Sequence, residues 1–293
     1  MDRFDAMRAF ARVVEAGMSK TTVTQLIQQL EARLRVKLLH RTTRKLGVTP
    51  DGAVYYERVI RLLADMEDAE NSLSSAAMTP RGRLRVDVPS PLARLILLPA
   101  FHARYPDIQF DMGVSDRVVD LIGDNVDCVL RGGEITDQSL IARHVGDLQI
   151  GVYVAPHYVE RLGAPAHPRE LQNTDHRIVG FVSSRSRKID PLVLRSESEQ
   201  IEITGNYVLA VDDGNAYLEA GLAGLGVIAL PIYMAAAHQA VGALIPLFTQ
   251  WRISPMPLHL AFPPNRHVNG KLRVFIDWIV ELMQQHVPIT NNK

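Results

Sequence analysis

The chain has 293 residues, of which 47% are hydrophobic and 22% charged, so it contains enough apolar material for more than one core. Its 32 basic and 32 acidic residues cancel, so overall charge indicates no nucleic-acid partner, and any such signal must be local. The single cysteine, Cys128, excludes an intrachain disulfide and a four-cysteine zinc site.

The N-terminal segment MDRFDAMRAF carries charges where a signal peptide needs an apolar run. The longest apolar stretch, residues 224–237, is interrupted by Pro231 and is too short to span a bilayer. We therefore expect a cytoplasmic protein with no membrane partner.

Positive charge is concentrated near the N-terminus. Residues 18–47 contain seven basic residues and one acidic residue, Glu31. This concentration is typical of a segment that contacts phosphates, although a solvated protein face gives the same charge pattern.

The same window contains the pattern of an amphipathic helix that Ser19 can cap. Val23, Ile27 and Leu30 recur at helical spacing, which predicts a buried face. The opposite face carries side chains that suit hydrogen bonding to base edges in a major groove. These candidate DNA contacts are Lys20, Thr21, Thr24, Gln25 and Gln28.

The next segment, RVKLLHRTTRKLGVT, alternates apolar residues around a turn rich in threonine and cations, which predicts a β-hairpin wing. Arg41, Arg44 and Lys45 are then expected near the DNA backbone or the minor groove, and Thr43 is a candidate contact beside them.

Together, DAMRAFARVVEAG and SKTTVTQLIQQLEARLRVKLLHRTTRKLGVTPDG resemble the N-terminal winged helix-turn-helix of LysR-type transcriptional regulators. The resemblance rests on the serine-initiated helix, the Leu30–Glu31 pair, the LLHRT strand and the VTPDG start of a following helix, and it extends more loosely over the remainder. It implies that residues 20–28 belong to a recognition helix and residues 41–45 to the wing. Double-stranded operator or promoter DNA is the implied partner, and RNA polymerase is a further candidate.

One element of that family is absent from the sequence. Family members place a second helix between the glycine that matches Gly17 and the serine that matches Ser19, whereas here only Met18 separates them. A helix of three turns needs about 11 residues. We expect an incomplete helix-turn-helix with poorly covered apolar faces, which arises either from omitted residues, by engineering or internal deletion, or from a natural variant that folds differently.

After Pro50 and Gly52, a long amphipathic segment runs to about Ala77. Its apolar stripe either packs on its own domain or pairs two copies of the chain, and the family resemblance favours pairing, as a homodimer or a homotetramer. The predicted dimerisation residues are Val59, Leu62, Leu63, Met66 and Leu73.

From Leu84 onward, short apolar strands alternate with helical stretches, which predicts an α/β fold with largely parallel strands. The resemblance implies two α/β subdomains like those of a type 2 periplasmic binding protein, crossed near Pro156 and Pro257. The predicted domains are a winged helix-turn-helix (1–51), a linker and dimerisation helix (52–78), a hinge (79–83) and an effector-binding domain (84–293). Within that domain, subdomain I comprises about 84–156 and 258–293, and subdomain II about 157–257.

Ligands of α/β sheets lie beyond the carboxyl ends of strands, where helix N-termini can hold an anion. Ser90 and Arg131 are the residues most expected at a small-molecule effector, although Ser90 can instead cap a helix and Arg131 can pair with Glu134 or an aspartate. Asp212 and Asp213 can likewise bond a polar effector or cap the next helix. The full candidate set is Pro89, Ser90, Pro91, Ser115, Arg131, Gly132, Gly133, Phe181, Asp212 and Asp213.

The sequence does not favour an enzyme. Its ten histidines show no metal spacing, no nucleophile or phosphate-binding motif is present, and Cys128 lies among apolar strand residues, which predicts an inert thiol. We expect no cofactor and no metal. The sequence thus predicts an effector-controlled LysR-type regulator, and the alternative is a ligand-binding module without DNA-binding activity.

Overall fold

The computed structural model describes residues 2–16, 21–41, 46–73, 80–96, 100–117, 119–121, 123–124, 126–173, 175–204, 206–264 and 270–286. The chain divides into two compact units, residues 1–78 and residues 79–293. Among the helices that the structure describes, none combines the length and the hydropathy that a membrane span requires.

The N-terminal unit is helical with one small hairpin. In chain order its elements are α1 (Arg3–Ala16), α2 (Thr21–Leu34), β1 (Leu39–Arg41), β2 (Leu46–Val48) and α3 (Pro50–Leu73). Strands β1 and β2 pair antiparallel, with His40 opposite Gly47, as expected of a wing.

The core of this unit forms by direct contact between α1 and α2. Phe10 and Ile27 are both 0% exposed and pack in one cluster with Leu30 and Leu38, against which Tyr55 of α3 also packs. The expectation of poorly covered faces is therefore wrong for these residues, because α1, α2 and α3 bury one another's apolar side chains without a further helix.

Helix α3 begins where its sequence signals predict. Thr49 Oγ1 accepts a hydrogen bond from the Gly52 N–H at 2.9 Å and donates one to the Lys37 carbonyl at 2.7 Å, so it caps the helix, and Pro50 occupies the first turn, where its missing N–H costs nothing. A side chain at Gly52 would collide with the Leu38 carbonyl. The TPDG sequence thus fixes α3 against the wing.

The start of α3 packs on its own unit. Val59 is 0% exposed and lies in a cluster with Met7 and Ala11 of α1, so its assignment to a dimer interface is corrected. Leu63 is partly buried against the same cluster, whereas Leu62 is 49% exposed. The side chain of Leu73 lies outside the described residues.

The C-terminal unit has two lobes. Lobe I begins with β3 (Gly82–Val88), α4 (Ser90–Ile96), α5 (Ala100–Arg104), β4 (Ile108–Val114), β5 (Cys128–Gly132) and β6 (Ile141–Leu148). Lobe II comprises β7 (Ile150–Val154), α6 (Pro156–Leu162), α7 (Glu170–Asn173), β8 (Ile178–Phe181), β9 (Leu192–Arg195), β10 (Gln200–Ile203), β11 (Tyr207–Val211), α8 (Gly214–Leu222), β12 (Ile228–Pro231), α9 (Ile232–Ala240) and β13 (Ile245–Leu247). The chain then returns to lobe I with β14 (Met256–Phe262) and α10 (Gly270–His286).

The sheets are mixed rather than largely parallel. Lobe I contains the five-stranded sheet β4-β3-β5-β14-β6, in which β3 runs parallel to β4 and β5, while β14 runs antiparallel to β5 and β6. In lobe II, β8 and β11 are parallel, but β7 is antiparallel to β12 and β13. The first crossing therefore lies at Gln149 rather than near Pro156, because β7 already pairs with lobe II.

Each lobe has its own core. Phe275 and Trp278 of α10 pack on the lobe I sheet with Phe101 of α5, and Tyr158 of α6 and Leu194 of β9 lie in a separate lobe II cluster. Two cores joined by two chain crossings leave a cleft between them, with the carboxyl ends of β3 and β5 on one side and those of β8 and β11 on the other.

Candidate functional site

Helix α2 exposes part of its predicted DNA-contacting face. Gln25 and Gln28 are exposed and Thr24 is partly buried, whereas Ile27 and Leu30 face the core. The positions of Lys20, Thr43, Arg44 and Lys45, and the side chains of Thr21 and Arg41, lie outside the described residues. The described face is therefore polar and open, as base readout in a groove requires.

Glu31 joins α2 to the wing. Its carboxylate is buried and accepts hydrogen bonds from the Leu38 N–H at 2.9 Å, the Leu39 N–H at 3.2 Å and the Lys37 ammonium at 2.9 Å. Burial by itself raises the pKa of Glu31, but these bonds to the charged form lower it below its ordinary value. The carboxylate thus stays ionised and fixes the position of the start of β1 relative to α2.

A cavity of about 660 Å³ lies between lobes I and II. Its wall is mainly apolar, with Val129, Ile150, Val179, Phe181 and Met256 contributing from both lobes. A concave, apolar site with a few polar groups is the usual form of a small-molecule pocket.

Six of the predicted effector residues line this cavity. They are Pro89, Pro91, Arg131, Gly132, Gly133 and Phe181. All follow or end strands of the two lobes, as the rule for α/β sheets predicts.

The other four predicted residues do not line it, and their assignment as effector contacts stays a prediction. Ser115 Oγ accepts a hydrogen bond from the Arg117 N–H, Asp212 forms an ion pair with Arg117, and Asp213 caps α8 by accepting from the Ala216 N–H. Ser90 is buried, and both its N–H and its hydroxyl donate to Asp116. Other protein groups already bond to these four residues, and helix capping is the alternative that the sequence left open for Asp213.

Arg131 projects into the cavity wall with its guanidinium already bonded. It forms a buried ion pair with Asp87 of β3, and it also donates to the carbonyl oxygens of Asp87, Leu130 and Arg117 at 3.3, 2.8 and 3.1 Å. An aspartate partner was one of the alternatives for this residue. Arg131 therefore ties β5 to β3 and to the end of β4.

Sequence reasoning missed Asp116, which connects the two lobes. Its Oδ1 accepts from the Ser90 N–H at 3.1 Å, and its Oδ2 accepts from the Ser90 hydroxyl at 3.1 Å and from the Gly214 N–H of lobe II at 2.7 Å. Burial raises the pKa of Asp116, and the bonds from Gly214 and Ser90 offset part of this effect. The rule that selected Ser115 at the end of β4 would have found Asp116 one residue later.

Two tyrosines of lobe II, the buried Tyr217 and the partly buried Tyr233, also line the cavity. Tyr217 of α8 accepts a hydrogen bond from the Ala229 N–H at 3.0 Å, and burial raises its pKa to about 12. Burial also raises the pKa of Tyr233 of α9, with a further contribution from the charge of Asp116. Both phenols are thus neutral at physiological pH. Within the described part of the chain, no group of three or more His, Cys, Asp or Glu residues is placed to hold a metal ion.

Comparison with known proteins covers both units. Residues 4–53 match the bacterial regulatory helix-turn-helix protein of the lysR family, and residues 78–284 match the LysR substrate binding domain. An HTH-type transcriptional repressor of Pseudomonas aeruginosa is 34% identical over 99% of this chain and 95% of its own length. The HTH-type transcriptional regulator CrgA of Neisseria meningitidis serogroup C is 32% identical over 94% of this chain and 96% of its own length.

Solved structures agree with this assignment. The structure of CrgA, a LysR-type transcriptional regulator from Neisseria meningitidis, is 30% identical and has a TM-score of 0.62 over 96% of this chain and 99% of its own. The full-length Vibrio cholerae virulence activator AphB is 26% identical, with a TM-score of 0.59 over 96% of this chain and 99% of its own. With a helix-turn-helix and wing followed by a two-lobed effector-binding domain, each matched by its own family model, the chain belongs to the LysR family of transcriptional regulators.

Proposed function

We propose that this regulator reads duplex DNA through Gln25 and Gln28 of α2 and binds phosphates through the wing cations, while its inter-lobe cavity binds a small-molecule effector. The observation that supports the first part is the orientation of α2, whose apolar residues lie in the core and whose amide side chains face outward. The cavity of about 660 Å³ supports the second. The protein acts in the cytoplasm as a homodimer or homotetramer, with RNA polymerase as a further partner.

We further propose that the short link between α1 and α2 weakens specific DNA binding. The alignment with the Pseudomonas repressor runs over 302 positions, more than the 293 residues of this chain, so some of its positions have no counterpart here. The core closes without another helix, but a helix-turn-helix uses its first element to cross the DNA backbone and hold the recognition helix in the groove. A recognition helix without that support loses positioning contacts and keeps mainly electrostatic affinity.

The experiment compares this chain with a version that carries a family-like helix of about 11 residues between Gly17 and Met18. Both are titrated with operator-like and unrelated duplexes across a range of salt concentrations. We expect this chain to bind both duplexes with similar affinity and a steep loss in salt, and the restored version to prefer the operator by about 1000-fold or more. Equal specificity of the two versions would contradict the role assigned to the missing segment, and binding by neither would favour a ligand-binding module.

A matched pair of substitutions tests the division of roles in the restored version. Gln25→Ala should change base preference by about 1 to 3 kcal/mol at one position. Arg44→Ala should weaken all duplexes alike and reduce the salt slope by about 1. Equal losses from both substitutions would show that α2 and the wing contribute in the same way.

A further inference from the structure

The Asp116 carboxylate lies at the N-terminus of helix α8. The nine-residue helix α8 begins at Gly214, and its first free N–H points across the cleft to the Asp116 carboxylate at 2.7 Å. Free N–H groups at helix N-termini attract anions, because they combine hydrogen bonding with the positive end of the helix dipole. In this protein the anion is a side chain of lobe I.

The two lobes pack closely around this carboxylate. A side chain at Gly214 would collide with Pro91 of α4, so the two lobes touch closely here. The N–H and the hydroxyl of the buried Ser90 also donate to Asp116. An incoming carboxylate would have to displace Asp116 from all three donors and then lie beside it.

The cations of the cavity do not compensate. Arg131 is neutralised by Asp87, and its two terminal nitrogens already donate to protein oxygens. Partial burial raises the pKa of Asp190, and the nearby charge of Arg185 offsets part of this effect. The cavity lining contains two guanidinium groups and four carboxylates, those of Asp116, Glu134, Asp137 and Asp190. Glu134, Asp137 and Asp190 are exposed, so solvent screens their charges, and the repulsion of an anion in the cavity comes mainly from Asp116.

The remaining polar capacity suits a hydrogen-bond donor. A carboxylate has about four acceptor positions, and protein groups use three on Asp116, one of them on Oδ1. The Tyr233 hydroxyl lines the same cavity and forms no hydrogen bond with the part of the chain that the structure describes. The rest of the wall is mainly apolar.

We propose that Asp116 determines the specificity of the cavity, because it fills the N–H groups that an anion needs and thereby restricts the effector to mainly apolar small molecules that carry an O–H or N–H donor and no carboxylate. This inference rests on the proposed role of the cavity as the effector site. It needs no particular behaviour toward DNA.

The test is a ligand-detected NMR titration of the full chain with benzyl alcohol, benzylamine and benzoate, which share a ring and differ in charge. Benzyl alcohol and benzylamine should bind at least about tenfold more tightly than benzoate, because one added like charge at close range costs this much or more. In Asp116→Ala the donors of Ser90 and Gly214 are free, and benzoate should become the preferred probe. Asp116→Asn keeps the shape of the side chain and removes its charge, so it should reduce the preference for benzyl alcohol over benzoate without reversing it. This variant provides the test if Asp116→Ala does not fold.

Asp137→Asn is the matched control, since it removes another carboxylate of the same cavity, whose hydrogen bonds within the described residues go to Ser139 of its own loop. It should leave the probe preference within about twofold, because the charge of Asp137 is exposed and screened. Equal binding of benzoate and benzyl alcohol to the unmodified chain, or an unchanged preference in both Asp116 variants, would overturn the proposal. Binding of no probe to any variant would overturn the effector role of the cavity as well.

Discussion

Replacing Glu31 with alanine is the sharpest test of how the N-terminal unit is held together. The change removes a carboxylate that is 5% exposed and leaves the N–H groups of Leu38 and Leu39 without their acceptor. A hydrogen bond to a charged group contributes about 1.5 to 3 kcal/mol, and an unsatisfied buried donor costs about 1 to 3 kcal/mol. Since the two bonds share one carboxylate oxygen, we expect a loss of about 2 to 4 kcal/mol in the free energy of unfolding of this unit.

The ion pair with Lys37 contributes little to that total. The Lys37 side chain is 77% exposed, so Lys37→Ala should cost less than about 1 kcal/mol. Glu31→Gln keeps one acceptor oxygen, so its loss of stability should lie between those of Lys37→Ala and Glu31→Ala. This order separates the two main-chain bonds from the surface charge pair.

The assay is hydrogen exchange read by mass spectrometry across α2 and β1, because both tryptophans, Trp251 and Trp278, lie in the C-terminal unit. Tryptophan fluorescence during urea unfolding should be unchanged, which controls for effects on the other unit. Because the pKa of Glu31 is lowered in the folded state, its contribution is present above the ordinary value of 4.5 and is lost as pH falls through the folded pKa. A loss as large in Lys37→Ala as in Glu31→Ala, or no pH dependence of the difference, would refute this reasoning.

Three further outcomes can be measured on the same protein. Arg131→Met leaves the Asp87 carboxylate buried and unpaired, so the free energy of unfolding should fall by about 3 to 5 kcal/mol in a urea titration followed by tryptophan fluorescence. Adding Asp87→Asn should recover part of this loss. A double variant no more stable than the single one would count against the ion pair. Burial raises the pKa of the Cys128 thiol, so iodoacetamide should label the native protein at less than about a hundredth of the rate in urea, and rapid native labelling would show that β5 opens. In an isolated chain, Phe10→Ala should lower the free energy of unfolding of the N-terminal unit by about 3 to 5 kcal/mol, and Leu62→Ala by less than about 0.5 kcal/mol. Hydrogen exchange measures both values, and the reverse order would contradict direct packing of α1 on α2.

The sequence predicted the elements whose signals are local. The VTPDG start of α3 and the apolar repeat of α2 each act within a few residues, and the structure has a helix at both places. The position of the first lobe crossing was predicted seven residues too late, near Pro156, since the apolar run of β7 shows that it is buried but not which sheet it joins. Sheet membership depends on partners far along the chain.

The residues of the cavity show the same limit of prediction from sequence. Arg131, Gly132 and Phe181 were selected from strand ends that are visible in the sequence, and they line the cavity. Asp116 was missed because its contact with lobe II depends on Gly214, 98 residues away. Similarly, the pairing of α1 with α2 could not be read from a family pattern that places another helix between them. The apolar residues of both helices were identified, but which surface covers them is a tertiary property.

The bonds that join the lobes also limit how an effector can act. A ligand shifts a conformational equilibrium only by its difference in affinity for the two states, typically about 1 to 3 kcal/mol. Of the two polar connections at the end of β4, the Arg117–Asp212 ion pair is exposed on both sides and is worth at most about 1 kcal/mol. The bond from the Gly214 N–H to the half-buried Asp116 is therefore the stronger one. An effector that donates to the Asp116 carboxylate competes with or reinforces this bond directly, so the residue that sets charge specificity is also placed to convert binding into movement of one lobe against the other.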